Sequence, residues 1–147
     1  MIHEQFLRTQ MLLGTEALEK LQKARVAVFG IGGVGGYAVE ALARTGIGTL
    51  GLVDDDVVDI TNLNRQLLSQ VSLLGVSKAN AAAEHIGRVN PAVQVEAVAE
   101  YIKSVDPTAI PLGYEIEIDT NFCTSTWEYN VNSNNFYILL LIYFQDC

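Results

Sequence analysis

The chain has 147 residues, half of them hydrophobic and 18% charged, with only 3 Pro and 12 Gly, a globular composition that excludes a disordered or fibrous chain. Its net charge is −8, and residues 101–147 carry one basic and six acidic side chains. A chain this acidic gains no affinity for nucleic acid from its overall charge, so such a role needs a local cationic patch or a partner.

Residues 15–24 (TEALEKLQKA) carry apolar side chains at helical spacing, with Thr15 as the predicted N-cap. Arg25 to Phe29 (RVAVF) reads as a buried strand that runs directly into GIGGVGG. Tyr37 to Arg44 (YAVEALAR) is rich in helix formers, and Gly46 ends that helix. Thr49 to Val53 (TLGLV) is a second buried strand, ending in Asp54-Asp55-Asp56. Strand, glycine turn, helix and strand in this order make a βαβ unit and hence a parallel sheet.

A polar connection, Asp59 to Gln66 (DITNLNRQ), follows. Lys78 to Val89 is predicted as an amphipathic helix stopped by Asn90-Pro91. Val93 to Ala99 and Tyr114 to Asp119 alternate as third and fourth strands. Beyond Asp119 the texture changes to an Asn-, Ser- and Thr-rich stretch and then FYILLLIYF, Phe136 to Phe144, which has no obvious partner strand and is expected to pair with another chain.

That apolar run has nine residues. This is about half of what a membrane-spanning helix requires. The N-terminus lacks a secretory signal pattern, and Cys123 and Cys147 have no metal-ligand or disulfide-framework spacing. The expectation is a soluble protein of a reducing, cytoplasmic compartment with no membrane association. His85 reads as a helix-surface histidine, and nothing around Cys123 supports a nucleophile.

Gly30-Ile31-Gly32-Gly33-Val34-Gly35 follows a strand and opens a helix. The first glycine permits the tight turn, the middle ones let backbone N–H groups reach a phosphate, and the last allows close helix–strand packing. The helix N-terminus adds partial positive charge. Asp54, at the end of the second strand, is placed to accept ribose hydroxyls. These features indicate a nucleotide without choosing between NAD, FAD and ATP. Asn62, Arg65 and Lys78 choose ATP: a pyrophosphate-binding dehydrogenase needs no such cluster, whereas attack on an α-phosphate must neutralise a triphosphate and its departing pyrophosphate. Arg65 supplies a planar fork and Lys78 a point charge; taken singly, each would read as a solvated surface cation.

The stretch RVAVFGIGGVGGYAVEALARTGIGTLGLVDDDVVDITNLNRQ, with Lys78 thirteen residues after Arg65, resembles the ubiquitin-activating-enzyme-like, ThiF-type superfamily, whose members adenylate carboxylates with ATP. FLRTQMLLGTEALEKL resembles the branch of tRNA threonylcarbamoyladenosine dehydratases, and the resemblance runs over about residues 3–100, with 119 as its outer limit. It implies an α/β, Rossmann-like, doubly wound and mostly parallel sheet, present here as the N-terminal half of the family fold. It implies an N-terminal helical segment at 1–24, an ATP-binding domain at 25–119 and an atypical tail at 120–147.

By the same resemblance, Gly30, Gly32, Gly33, Gly35, Asp54, Asn62, Asn64, Arg65 and Lys78 bind ATP; Arg8, Arg65 and Lys78 also support catalysis. Arg8 matches an arginine inserted into the partner's site of a homodimer. The family's magnesium-binding aspartate falls by count at Phe122, leaving Asp119 as the nearest carboxylate for Mg2+. The implied activity is that of a ligase-like ATP-dependent dehydratase acting on tRNA. The alternatives are an adenylyltransferase for a ubiquitin-like sulfur carrier or sulfur-transfer protein, and an inactive truncated fragment.

Overall fold

The computed structural model describes residues 4–99 and, as backbone, Phe136–Leu140. The expected strand at 114–119, the candidate ligand Asp119, and most of the expected tail lie outside the described residues. A 3-10 turn at Glu4–Phe6 leads into helix α1 (Leu7–Leu13) and helix α2 (Thr15–Lys23). Periodicity did not announce α1, although it lies within the helical segment expected at 1–24; its side chains are all exposed or half-buried and show no clear apolar stripe. Gly14, not Thr15, caps α2, because the chain bends there at φ 85°. Thr15 Oγ1 instead accepts from Gln10 Nε2 at 2.9 Å and ties the two helices together.

The N-terminal helices are fastened to the remainder at one corner. Leu18 and Phe6 are buried, and both pack against Gly46, whose added Cβ would stand 3.2 Å from each side chain. Gly48 N–H donates to the Leu21 carbonyl at 3.0 Å, joining the end of α2 to the turn before the second strand.

Strand β1 (Arg25–Phe29), helix α3 (Gly35–Thr45) and strand β2 (Thr49–Val53) form the expected βαβ unit, with Gly46 capping α3. Helix α4 (Lys78–Val89) begins with Ser77 as its N-cap, and strand β3 (Gln94–Val98) follows. Strand β4 (Phe136–Leu140) completes a four-stranded sheet in the order β3-β2-β1-β4. Every pairing is parallel: Arg25 lies opposite Thr49 and Phe136, and Thr49 lies opposite Gln94. This is a Rossmann-like α/β arrangement.

The run expected to lack a partner strand therefore has one, β1. A continuous apolar segment suits a parallel strand beside a buried one, but which strand it pairs with is a long-range choice that local periodicity does not encode. One core layer lies between the sheet and the two crossover helices. Val26, Val28, Leu50 and Leu52 meet Val39 and Ala43 of α3 and Ala82 and Ile86 of α4. Burying a side chain of the size of Leu50 or Ile86 contributes about 1.5–3 kcal/mol each. That layer holds the carboxyl ends of β1 and β2 side by side.

Candidate nucleotide site

At the end of β1 the chain turns at Gly30, φ 86°, whose N–H donates to the Val53 carbonyl at 2.8 Å. A Cβ on Gly35 would stand 1.8 Å from the Gly30 carbonyl oxygen, so α3 leaves the turn at a separation only glycine permits. Gly32 and Gly33 differ. An added Cβ would meet nothing nearer than Gln66 Nε2 at 3.9 Å or Arg65 Cγ at 3.8 Å. The backbone conformation favours glycine at 30 and packing requires it at 35, but packing does not require it at 32 and 33. Those two bare positions face a cavity of about 700 Å³, and the first turn of α3 beside them has no side-chain cap.

Asp54 closes the turn from the β2 side. It is buried, its Oδ2 accepts from Ile31 N–H at 2.5 Å and its Oδ1 accepts from Asp56 N–H at 2.9 Å. Burial pushes its carboxyl above the ordinary aspartate range, and the two N–H donors and the nearby Lys78 offset only part of that. The glycine turn and the strand-ending acid thus share one crevice.

The opposite wall comes from the excursion between β2 and α4. Val58 and Val76 pair through their backbones at 2.8 Å, so this segment folds back on itself. Within it a 3-10 turn, Ile60–Asn62, is held by a reciprocal cap: Asp59 accepts from Thr61 N–H, and Asn62 Oδ1 accepts from Asp59 N–H at 2.9 Å. The hydrogen bonds from Thr61 hold the Asp59 carboxyl below its ordinary range. Asn62 is buried and does not line the cavity; its carbonyl accepts the N–H groups of Arg65 and Gln66 and so aims them inward. Arg65 is exposed, with Nη1 donating to the Thr61 carbonyl at 2.9 Å and to Asn64 Oδ1 at 3.0 Å.

Lys78, the first residue of α4, is buried on the cavity wall with Nζ 2.6 Å from Asp56 Oδ2. The structure therefore gathers Gly32, Gly33, Asp54, Arg65 and Lys78 at one cavity, with Gly30 and Gly35 shaping its turn. Asn62 and Asn64 stand behind the wall as supports of Arg65. Arg8 lies exposed on α1 and is not part of the cavity lining.

Sequence reasoning missed Thr61, Gln66 and Asp56. The signal for Asp56 was its position just past the end of β2, two residues beyond Asp54, where an aspartate side chain readily accepts the N–H two residues on. His85, expected on the helix surface, is half-buried and joins α4 to α3 through a bond to Glu40 at 2.7 Å. Burial raises the Glu40 carboxyl, but its bonds to Arg44 and His85 outweigh this and leave it below the ordinary glutamate range. A second cavity of about 290 Å³ at the amino ends of the strands, near Thr49 and Gln94, has no charged side chain in its lining.

The carboxylates of Asp54, Asp55 and Asp56 lie within 4.8 Å of one another. They fit Mg2+ poorly. Both Asp54 oxygens accept backbone N–H groups and Asp56 neutralises Lys78, which leaves Asp55 as the member making no hydrogen bond or ion pair among the described residues.

A parallel sheet with a glycine turn, a strand-ending acid and a cationic far wall is the layout the sequence resemblance implied, and the ThiF family pattern matches residues 6–122. The chain belongs to the ThiF family. Among similar ThiF-type proteins, the tRNA threonylcarbamoyladenosine dehydratase of Bacillus subtilis is 48% identical over 98 residues, covering 67% of this chain and 38% of the relative. An adenylyltransferase and sulfurtransferase of Lodderomyces elongisporus is 34% identical, covering 70% of this chain and 23% of the relative. The crystal structure of Escherichia coli tRNA N6-threonylcarbamoyladenosine dehydratase in complex with ATP superposes with a TM-score of 0.66 at 43% identity, covering 67% of this chain and 41% of that one. The chain thus spans about two fifths of the length of the dehydratases it matches. Among the described residues no helix is long and apolar enough to cross a membrane.

Proposed function

We propose that the cavity binds ATP for adenylation of a carboxylate, and that this carboxylate belongs to threonylcarbamoyladenosine in tRNA. The observation that carries the ATP reading is the pair Gly32 and Gly33: the fold does not need them bare, and they face Arg65 across the cavity wall with Lys78 on the same cavity. A triphosphate lying on that turn would meet backbone N–H groups and the α3 N-terminus on one side and a guanidinium and an ammonium on the other. Asp54 would take the ribose hydroxyls.

In the first step a carboxylate oxygen bonds to the α-phosphorus and the bond to pyrophosphate breaks. Arg65 and Lys78 take up the charge that develops on the leaving group. A nucleophile within the same modified nucleoside then closes a ring on the acyl adenylate and releases AMP. Water is lost overall, its oxygen leaving on AMP. No step is assigned to magnesium, since of the three clustered carboxylates those of Asp54 and Asp56 are otherwise engaged and Asp55 alone remains.

Two supports favour tRNA over a sulfur-carrier protein as the source of the carboxylate: the sequence FLRTQMLLGTEALEKL, and the dehydratase relatives at 48% and 42% identity. Residues 25–119, together with strand β4 on the β1 edge, form the nucleotide domain in this reading, and residues 1–24 serve a second copy. Arg8 supports this, because it lies exposed on α1 beside Leu7, Met11 and Leu12, which are 50%, 77% and 82% exposed. A cytoplasmic site of action fits a tRNA substrate.

The test is calorimetry with ATP and NAD, followed by ATP–pyrophosphate exchange with and without tRNA bearing the modified nucleoside. Tighter binding of ATP and tRNA-dependent AMP release are expected. Tighter binding of NAD, or stimulation by a carrier-protein C-terminus in place of tRNA, would overturn the assignment.

A further inference from the structure

Asp56 has no part in the scheme above, yet it touches both ends of the cavity. Its N–H donates to Asp54 Oδ1 at 2.9 Å, and its carbonyl accepts the Lys78 N–H at 2.9 Å. Its Oδ2 lies 2.6 Å from Lys78 Nζ. The two partners differ sharply in exposure: the Lys78 side chain is 8% exposed and that of Asp56 is 66% exposed. A cation sunk into the wall is thus neutralised by a carboxylate that is open to solvent within the cavity. An ammonium removed from water needs a counter-charge, so Lys78 is held by Asp56 until another anion replaces it.

We propose that Asp56 is the resident counter-ion of Lys78, displaced by a polyphosphate, and that this exchange makes the site selective for polyphosphates over singly charged anions. The identification of that polyphosphate with ATP rests on the nucleotide reading above. Replacing one carboxylate by one singly charged anion leaves Lys78 no better paired. A polyphosphate also reaches Arg65 and the Gly32–Gly33 turn, and those added contacts outweigh the lost pair. When pyrophosphate departs, the carboxylate re-pairs with the buried ammonium. No covalent bond changes in this exchange.

The experiment uses the whole 147-residue chain, as wild type, Asp56→Asn, Asp56→Glu, Lys78→Ala and the double variant Asp56→Asn/Lys78→Ala, with thermal melts to show that each folds. Calorimetry with inorganic tripolyphosphate, ATP and adenosine reads the two ends of the cavity separately. The expected result is that Asp56→Asn tightens tripolyphosphate and ATP by about threefold or more, the scale of a partly exposed ion pair. Adenosine affinity stays unchanged, Asp56→Glu behaves as wild type, and the gain falls by at least about half in the Lys78→Ala background, the signature of coupled residues. Acylation of Lys78 by acetic anhydride, followed by mass spectrometry without any nucleotide, should rise in Asp56→Asn.

Unchanged or weaker tripolyphosphate binding in Asp56→Asn would overturn the proposal, and so would an equal gain with and without Lys78. A tripolyphosphate gain without detectable ATP or adenosine binding would keep the ion exchange and remove the nucleotide reading instead.

Discussion

Four glycines in one short turn do two different jobs. At Gly35 the backbone of Gly30 leaves no room for a methyl group, so Gly35→Ala should destabilise the fold by about 2 kcal/mol or more, read as a lower urea midpoint. At Gly32 and Gly33 a methyl group fits the protein. Gly33→Ala should therefore melt within a few degrees of wild type yet lose ATP binding by calorimetry; unchanged binding would show that the bare turn is not a phosphate seat. Arg65→Ala should weaken ATP by about 1.5–3 kcal/mol, the scale of a hydrogen bond to a charged group.

Asp54 supplies a pH test. Its carboxyl is raised by burial, so the unliganded protein binds an extra proton between the ordinary aspartate value of 3.8 and the raised one, and loses stability as pH climbs through that window. Ribose hydroxyls favour the charged form, so the ligand has the opposite dependence. Adenosine, which lacks a titrating phosphate, should bind fully above the raised value and progressively less below it, and Asp54→Asn should flatten the profile.

At the scale of elements, the crossover helices do most of the holding. Leu50 is fully buried between β2 and the helices, so Leu50→Ala should cost about 2–5 kcal/mol in urea denaturation. Glu40 on α3 bonds Arg44 on its own helix and His85 on α4. Its lowered carboxyl contributes stability that is present above the ordinary glutamate value of 4.5 and is lost as pH falls through the folded-state value. Glu40→Gln should remove that part of the acid dependence of the melting temperature while leaving nucleotide binding in place.

For the whole molecule, β4 decides which strands are interior. With β4 paired, β1 has a neighbour on each side. Hydrogen exchange should therefore find the amides of β1 as protected as those of β2; fast exchange along β1 would mark it as an edge strand and contradict the pairing. Net charge bears on the substrate. At −8, with Arg8, Arg65 and Lys78 as the cations assigned to the site, the chain should bind tRNA with a shallow salt dependence, since few phosphates are neutralised. A steep slope would reveal a cationic surface beyond those residues.

The sequence by itself determined the β1–turn–α3–β2 unit, the span of α4 and the glycine spacing of the turn. Apolar runs, helix formers, Asn90-Pro91 after α4, and glycines at set spacing act between residues close along the chain, where local sterics and hydrogen bonds decide the outcome. Tertiary structure alone decided that Phe136–Leu140 lies against β1, that Asn62 braces the wall without lining the cavity, and that Asp56 neutralises Lys78 across 22 residues. It also separated the glycines the fold requires from those left bare at the cavity. Each of these outcomes depends on which distant segments close on one another, and that closure is set by burial in a shared core, a property no window of neighbouring residues contains.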